Sequence, residues 1–375
     1  MTVPRADAAA GPATGARRPY LVAYRTDGLG SRILNLAWTW RVARRLGAQT
    51  IVYWSGTPGG DVEHFGRGYQ AGRLFDLFDI YRRDAGVVFV DGDPKPVRGL
   101  TRIDKRPDWK RNGLRGWPAQ DVFGAEDHAY YTVCDPLLLE GERPDDAGRE
   151  ACALLAELTP NRVVRRRVKQ IAAEVDLSSM VGVHFRRGDI VGRLAGLGAE
   201  LQQTGSAPPE LAEWIEHFFA RCAPADAYAA EATRQAGTGA ELLVCSEDPD
   251  AAALFSDRAR SLAPFLTDLP SVQAAMVEML ALARCGQIIS TGSRFGQAAG
   301  LIGGLAPADA RLSASPEGYL GELSRVMGLT ALDRDHPAVR TAADAVIGSS
   351  SVFRLSRDLG WGLDATRAAA LIAAG

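Results

Sequence analysis

The chain has 375 residues, enough for two domains of ordinary size with a sizeable core. Its composition of 46% hydrophobic, 23% charged and 7% aromatic residues is globular, and a net charge of −2 excludes recognition of a polyanion, nucleic acid included, through overall charge; any anion site must be local. The five cysteines (Cys134, Cys152, Cys222, Cys245, Cys285) are scattered and form no C-x-x-C pair, which argues against a disulfide framework or zinc cluster and fits a reducing compartment.

Residues 1–18 are rich in Ala, Gly, Pro and Arg, lack the apolar run of a signal peptide and read as a disordered tail. No stretch reaches the roughly 20 apolar residues that span a bilayer, so a cytoplasmic protein without a membrane span is expected. Tyr20–Tyr24 predicts a strand, Asp27–Arg32 a Gly-containing turn, Ile33–Leu46 a helix closed by Gly47, and Ile51–Trp54 a second strand, which together form a parallel βαβ unit. Val87–Val90 predicts a further strand. The stretch 91–144, dense in Pro, Gly, Asp and Trp, reads as a long irregular insertion into an α/β domain covering 19–165. Its Trp109 and Trp117 either stack on sugar or aromatic faces or plug the loop.

A helical pattern returns over Ala151–Val175, with Arg162, Arg165, Arg166, Arg167 and Lys169 forming a solvated face. The next domain, 166–312, begins with a strand at Met180–Phe185, a loop region and a helix at Leu211–Cys222. There follow a strand at Glu241–Ser246, a short helix at Ala251–Phe255 and a strand at Pro264–Thr267. A helix at Val272–Cys285, a strand at Gln287–Ser290 and a helix near Gly296–Ile302 complete it. Residues 313–375 read as an Ala-rich helical segment. Alternating strands and helices with short connections predict α/β architecture: two Rossmann-like, doubly wound parallel sheets facing a central cleft.

Four segments could carry chemistry. In VGVHFRRGDIVG (Val181–Gly192), an apolar strand delivers His184, Arg186, Arg187 and Asp189 to the carboxyl end of a parallel sheet, where open α/β sheets place ligands. Arginine forks hold phosphate oxygens and neutralise a diphosphate leaving group without a metal. Asp189 can brace one fork, and His184, on the same side of the strand as Arg186, can donate to a nucleotide or sugar; the alternative is a salt-bridged strand end. In the turn DGLGSR, Gly28 and Gly30 allow close approach of backbone to ligand ahead of Arg32, or serve the turn alone; the third glycine of a dinucleotide fingerprint would fall at Ile33. In STGSRF, Ser290, Thr291, Ser293, Arg294 and Phe295 join a strand to a helix start as a phosphate cradle or as a capping sequence. After another strand of the same sheet come Ser246 and Asp248, suited to a base or ribose hydroxyl, or to an N-cap. Asp91 and Asp93, after the Val87–Val90 strand, form a D-x-D metal motif or, before Pro-Lys-Pro, a turn.

The H-x-R-R-x-D segment at His184–Asp189 is similar to that of the α-1,6-fucosyltransferases, a family that includes the nodulation fucosyltransferases. DGLGSRILNLAWTWRVARRLG and ISTGSRFGQAAGLIGG resemble the first and last motifs of the wider superfamily, in the right order. The resemblance implies a GT-B fold with the acceptor on the N-terminal domain, and inverting, metal-independent transfer from GDP-fucose. No cofactor beyond the GDP-sugar donor is implied. It places Arg186 on the β-phosphate, His184 and Arg187 beside the nucleotide, Ser246–Asp248 near guanine and ribose, and Ser290–Phe295 around the phosphates. The chain departs from the family where a Lys and a Glu follow the motif: these positions are Ile190 and Leu194. Asp27, Glu200 and Glu210 then remain as candidate bases for a carbohydrate or small-molecule acceptor. The expected function is a glycosyltransferase moving fucose or a related hexose. The alternatives are a nucleotide-sugar-binding protein that has lost its base and a transferase using another nucleoside-diphosphate hexose.

Overall fold

The computed structural model describes residues 19–25, 27–54, 77–79, 87–91, 101–106, 108, 116–123, 128–248, 251–255 and 258–375. The expected tail over 1–18, Trp109, Asp93 and the side chain of Asp91 lie outside the described residues.

Two parallel sheets of five strands organise the chain. The first comprises β1 (Tyr20–Tyr24), β2 (Gln49–Trp54), β3 (Val87–Asp91), β4 (Thr101–Arg102) and β5 (His128–Tyr131), in the order β3-β2-β1-β5-β4. The second comprises β6 (Val181–His184), β7 (Leu242–Cys245), β8 (Ala259–Ser261), β9 (Gln287–Ser290) and β10 (Ala308–Asp309), in the order β10-β9-β6-β7-β8. Leu21, Val22 and Ala23 of β1 are all buried, as a parallel strand covered on both faces requires. This is the α/β, GT-B-type arrangement anticipated from the sequence.

Several elements differ from expectation. The 91–144 segment is not wholly irregular, since it supplies β4 and β5, and β5 pairs directly with β1. The expected strand at Pro264–Thr267 is instead a short helix, Ala263–Leu266, and the strand lies just before it as β8. The expected helix over Ala151–Val175 is two, Pro144–Glu157 and Arg162–Glu174, broken around Pro160. Trp117 is fully buried under the Arg106 guanidinium, which lies 4.6 Å from its ring centre, and plugs the core.

Helix α1 (Leu29–Arg45) is buried over most of its length. It is sandwiched between the first sheet and two helices, α2 (Pro144–Glu157) and, from the second half, α9 (Arg294–Gly303). Two of its buried polar side chains reach across to other elements. The Asn35 amide donates to the carbonyls of Tyr131 (2.9 Å) and Val133 (3.0 Å), and Arg41 grips Glu142 through two 2.7 Å bonds. One apolar cluster therefore runs from the first sheet through α1 to α9 and Leu243, Cys245 and Ile288 of the second sheet. A second cluster covers the other face, where Val181, Val183 and Phe185 meet α4 (Gly188–Thr204), α5 (Leu211–Arg221) and the helices after Ser313. Those helices are stapled at Glu216, whose carboxylate accepts from the hydroxyls of Ser349 (2.5 Å) and Ser350 (2.8 Å) and the amide of Ser351 (2.9 Å) at the start of Ser350–Leu359.

Candidate active site

In the second sheet the chain leaves β6 in one direction through β7 and β8, then returns to β9 on the other side. The crevice of such a sheet opens at the carboxyl ends of β6 and β9. Strand alternation decides which residues reach it. Val181, Val183 and Phe185 face the second cluster, whereas a Cβ on Gly182 would meet Leu282 and Cys285 on the side shared with the first half. His184 and Arg186 follow Gly182; Arg187 follows Phe185.

His184 is 4% exposed, with Nδ1 2.7 Å from the Ser293 hydroxyl and its ring stacked on Phe295 at 4.8 Å. Burial pushes the imidazole down to about 4, with Arg186 adding to that effect and Glu247 opposing it. It is therefore neutral at physiological pH. Ser293 accepts from the Gly296 amide (3.1 Å) as N-cap of α9 and lies 3.2 Å from the Ser290 hydroxyl. When Nδ1 accepts the Ser293 proton, Nε2 carries the ring hydrogen and becomes a donor.

Arg186 is clamped by two carboxylates: Nη1 donates to Glu247 (2.7 Å) and Nη2 to Asp189 (2.5 Å). Desolvation alone would raise the Glu247 carboxyl, but the charge of Arg186 beside it outweighs that and holds the group below the usual range. Asp189 belongs to the first turn of α4, a 17-residue helix that springs directly from the motif. The expected loop region is instead this helix, in which Ile190, Leu194, Leu197 and Leu201 recur at helical spacing and are all buried. Ile190 and Leu194, the positions of the resemblance's Lys and Glu, thus point into the apolar core.

The turn after β1 meets the same place. A Cβ on Gly30 would fall 2.5 Å from the Arg294 carbonyl oxygen and the Phe295 nitrogen, so the first turns of α1 and α9 cross in backbone contact. Neither first turn carries an acidic side chain, and both helix N-termini present their partial positive ends to this region. Arg294 bridges the halves, with Nη2 on Asp135 at 2.9 Å and Nη1 on Gln297 at 2.9 Å.

Other expected site residues are placed differently. Arg187 turns away from the crevice: it is 3% exposed, ion-paired with Glu322 and lies over the Phe185 ring. The Thr291 hydroxyl donates to the Arg221 carbonyl, on the face opposite His184. Gly30 and Arg32 sit inside α1 rather than in a loop, and buried Arg32 donates to the Asp27 carbonyl (2.7 Å) beneath Trp54. Gly28 is the N-cap of α1, with open space where a side chain would stand. Asp27 is locked by Arg25 at 2.7 and 2.6 Å, which removes it as a ready base. Ser246 accepts from the Asp248 amide (3.2 Å) in the turn after β7, and Asp248 lies within electrostatic reach of Arg325. Glu200 is exposed twelve residues into α4, about 18 Å from its start, and exposed Glu210 pairs with Arg193.

Two acidic residues were missed. Glu247 stands between the noted Ser246 and Asp248 and makes the stronger contact. Glu278, the one acid in the apolar helix α8 (Ser271–Leu282), is driven up to about 8 by burial, with the charge of Glu247 adding to it. Among the described residues, no group of three or more His, Cys, Asp and Glu side chains is placed to hold a metal ion, and no helix is long and apolar enough to cross a membrane.

No family model matches the chain, and no curated protein matches it in sequence. Among solved structures, fucosyltransferase NodZ from Bradyrhizobium is similar at 17% identity and a TM-score of 0.42, over 80% of this chain and 94% of that one. NodZ alpha-1,6-fucosyltransferase soaked with GDP-fucose is similar at 16% and 0.41, over 76% and 93%. POFUT1 in complex with GDP is similar at 9% and 0.42, over 78% and 98%. What the site can do follows from its own residues.

Proposed function

We propose that the protein is an inverting, metal-independent glycosyltransferase that moves fucose or a related hexose from a GDP-sugar to an acceptor hydroxyl. The observation that carries this reading is Arg186, held at the carboxyl end of the central strand between Asp189 and Glu247, beside neutral His184 and the N-terminus of α9. Of its two carboxylate partners, Glu247 is the more exposed, and a donor phosphate oxygen takes its place on the guanidinium. As the bond between the anomeric carbon and the phosphate oxygen breaks, the leaving diphosphate gains charge next to Arg186 and the helix end, and Nε2 of His184 donates to it or to the sugar. The acceptor oxygen attacks from the opposite face and inverts that carbon. The acceptor proton needs a base, which Ile190 and Leu194 do not supply and which Asp27 supplies only when Arg25 releases it.

Those two apolar positions favour a second reading, a nucleotide-sugar-binding protein without turnover. Calorimetric titration of GDP, UDP and dTDP in EDTA, with Arg186→Ala alongside, tests both. GDP is expected to bind selectively, and loss of a charge-assisted fork of about 2 kcal/mol should weaken it roughly 30-fold in the variant. Release of fucose from GDP-fucose separates the readings: turnover supports the transferase, and tight binding without hydrolysis supports the second. Equal affinity in the variant, or no nucleotide bound, refutes the donor site.

A further inference from the structure

We infer that Glu322, in the C-terminal helical segment, is a positioning residue for the donor site, acting through Arg187; this rests on the reading of Arg186 as the donor's phosphate ligand. Arg187 is the N-cap residue of α4 and immediately follows Arg186, and the backbone turns sharply there, with Gly188 at φ +39°. The turn leaves no slack, because a Cβ on Gly188 would lie 3.3 Å from the Glu247 carboxyl carbon. Arg186 faces the crevice and Arg187 the opposite face.

On that face, helix α10 (Pro316–Met327) brings up Glu322, which ion-pairs with Nη1 of Arg187 and accepts from Arg325 at 3.0 and 2.8 Å. Helix α10 is itself seated on α4, since a Cβ on Gly198 would fall 2.3 Å from the Met327 carbonyl oxygen. Among the described residues, neither Nε nor Nη1 of the buried Arg187 has a hydrogen-bond partner, so the charge of this guanidinium is balanced through its ion pair with Glu322. A buried cation that loses its counter-charge is driven towards water, and a side chain one residue from Arg186 takes the Arg186–Asp189 turn with it. Catalytic groups tolerate displacements of only about half an ångström before their supporting contacts matter. The segment after Ser313 is thus part of the donor site's architecture.

The test is GDP affinity at a temperature well below the melting midpoint, for the wild type, Glu322→Gln and Glu322→Asp. Glu216→Ala is the control, since it loosens the same C-terminal segment without touching the motif. The expected result is GDP binding about tenfold weaker in Glu322→Gln, a smaller loss in Glu322→Asp, which keeps the charge but withdraws it, and unchanged affinity in Glu216→Ala despite a lowered melting midpoint. Glu322→Asp serves alone if the Gln variant does not fold. Wild-type affinity in the Glu322 variants, or an equal loss in Glu216→Ala, overturns the inference while leaving the donor reading intact. A wild-type protein that binds no nucleotide overturns the donor reading itself, and this inference with it.

Discussion

Leu194→Glu restores the side chain that the fucosyltransferase resemblance places at this position, and the structure predicts that it destabilises the fold rather than supplying a base. Leu194 is fully buried on the inner face of α4, among Ile190, Leu197 and Leu201. Removing its apolar contacts costs roughly 2–5 kcal/mol, the range for large core side chains. The carboxyl must also enter that core uncharged. If its folded-state pKa rises by about three units, keeping it protonated at pH 7 costs on the order of 3–4 kcal/mol more. The sum, roughly 5–9 kcal/mol, rivals the whole stability of an ordinary domain. Because the folded-state pKa lies above the unfolded one of about 4.3, the ionisation part is absent below pH 4 and grows as pH rises through that interval. Denaturant midpoints of wild type and variant at pH 4.5, 6 and 8 measure it, and the deficit should widen with pH. A variant as stable as the wild type at every pH would show that α4 turns this face to the crevice.

Gly30→Ala forces a methyl group into the backbone of Arg294 and Phe295, so a loss of about 1–3 kcal/mol is expected in denaturant unfolding, together with weaker GDP binding as the start of α9 shifts; an unchanged midpoint would mean that the halves separate easily there. Glu278 has a folded-state pKa of about 8, above its unfolded value, so it contributes stability at low pH that is lost as pH rises between the two; Glu278→Gln should flatten the fall in melting midpoint between pH 5 and 9, and an unchanged slope would refute the buried-acid assignment.

Much of the architecture was legible because apolar runs of four to six residues bounded by turns are what doubly covered parallel strands need, and β1, β2, β6 and β7 have them. The elements missed lacked that signal. His128–Tyr131 is short and polar at one end, and it lies beside β1 through backbone pairing and the Asn35 amide, which reaches the Tyr131 carbonyl across 96 residues, contacts no local pattern reveals. Helix α4 was legible but overlooked. Its buried positions Ile190, Leu194, Leu197 and Leu201 repeat at helical spacing, although four glycines interrupt the sequence at 188, 192, 196 and 198.

For the site, alternation along β6 is the decisive signal. It places His184 and Arg186 on one side, as expected. Carried one residue further, it sends Arg187 to the side of Phe185, where it needs a buried counter-charge from a part of the chain more than a hundred residues away. A pair of adjacent arginines at a strand end therefore divides its work: one fork is presented to the crevice, and the other ties the turn to the body of the protein. Residue type alone made them look equivalent, and the period of two distinguishes them. Glu247 follows the same logic from the partner side, since a half-buried arginine at the mouth of a crevice is held rigid by whichever carboxylate the neighbouring strand end supplies. β7, paired to β6 with His184 opposite Cys245, ends two residues before Glu247.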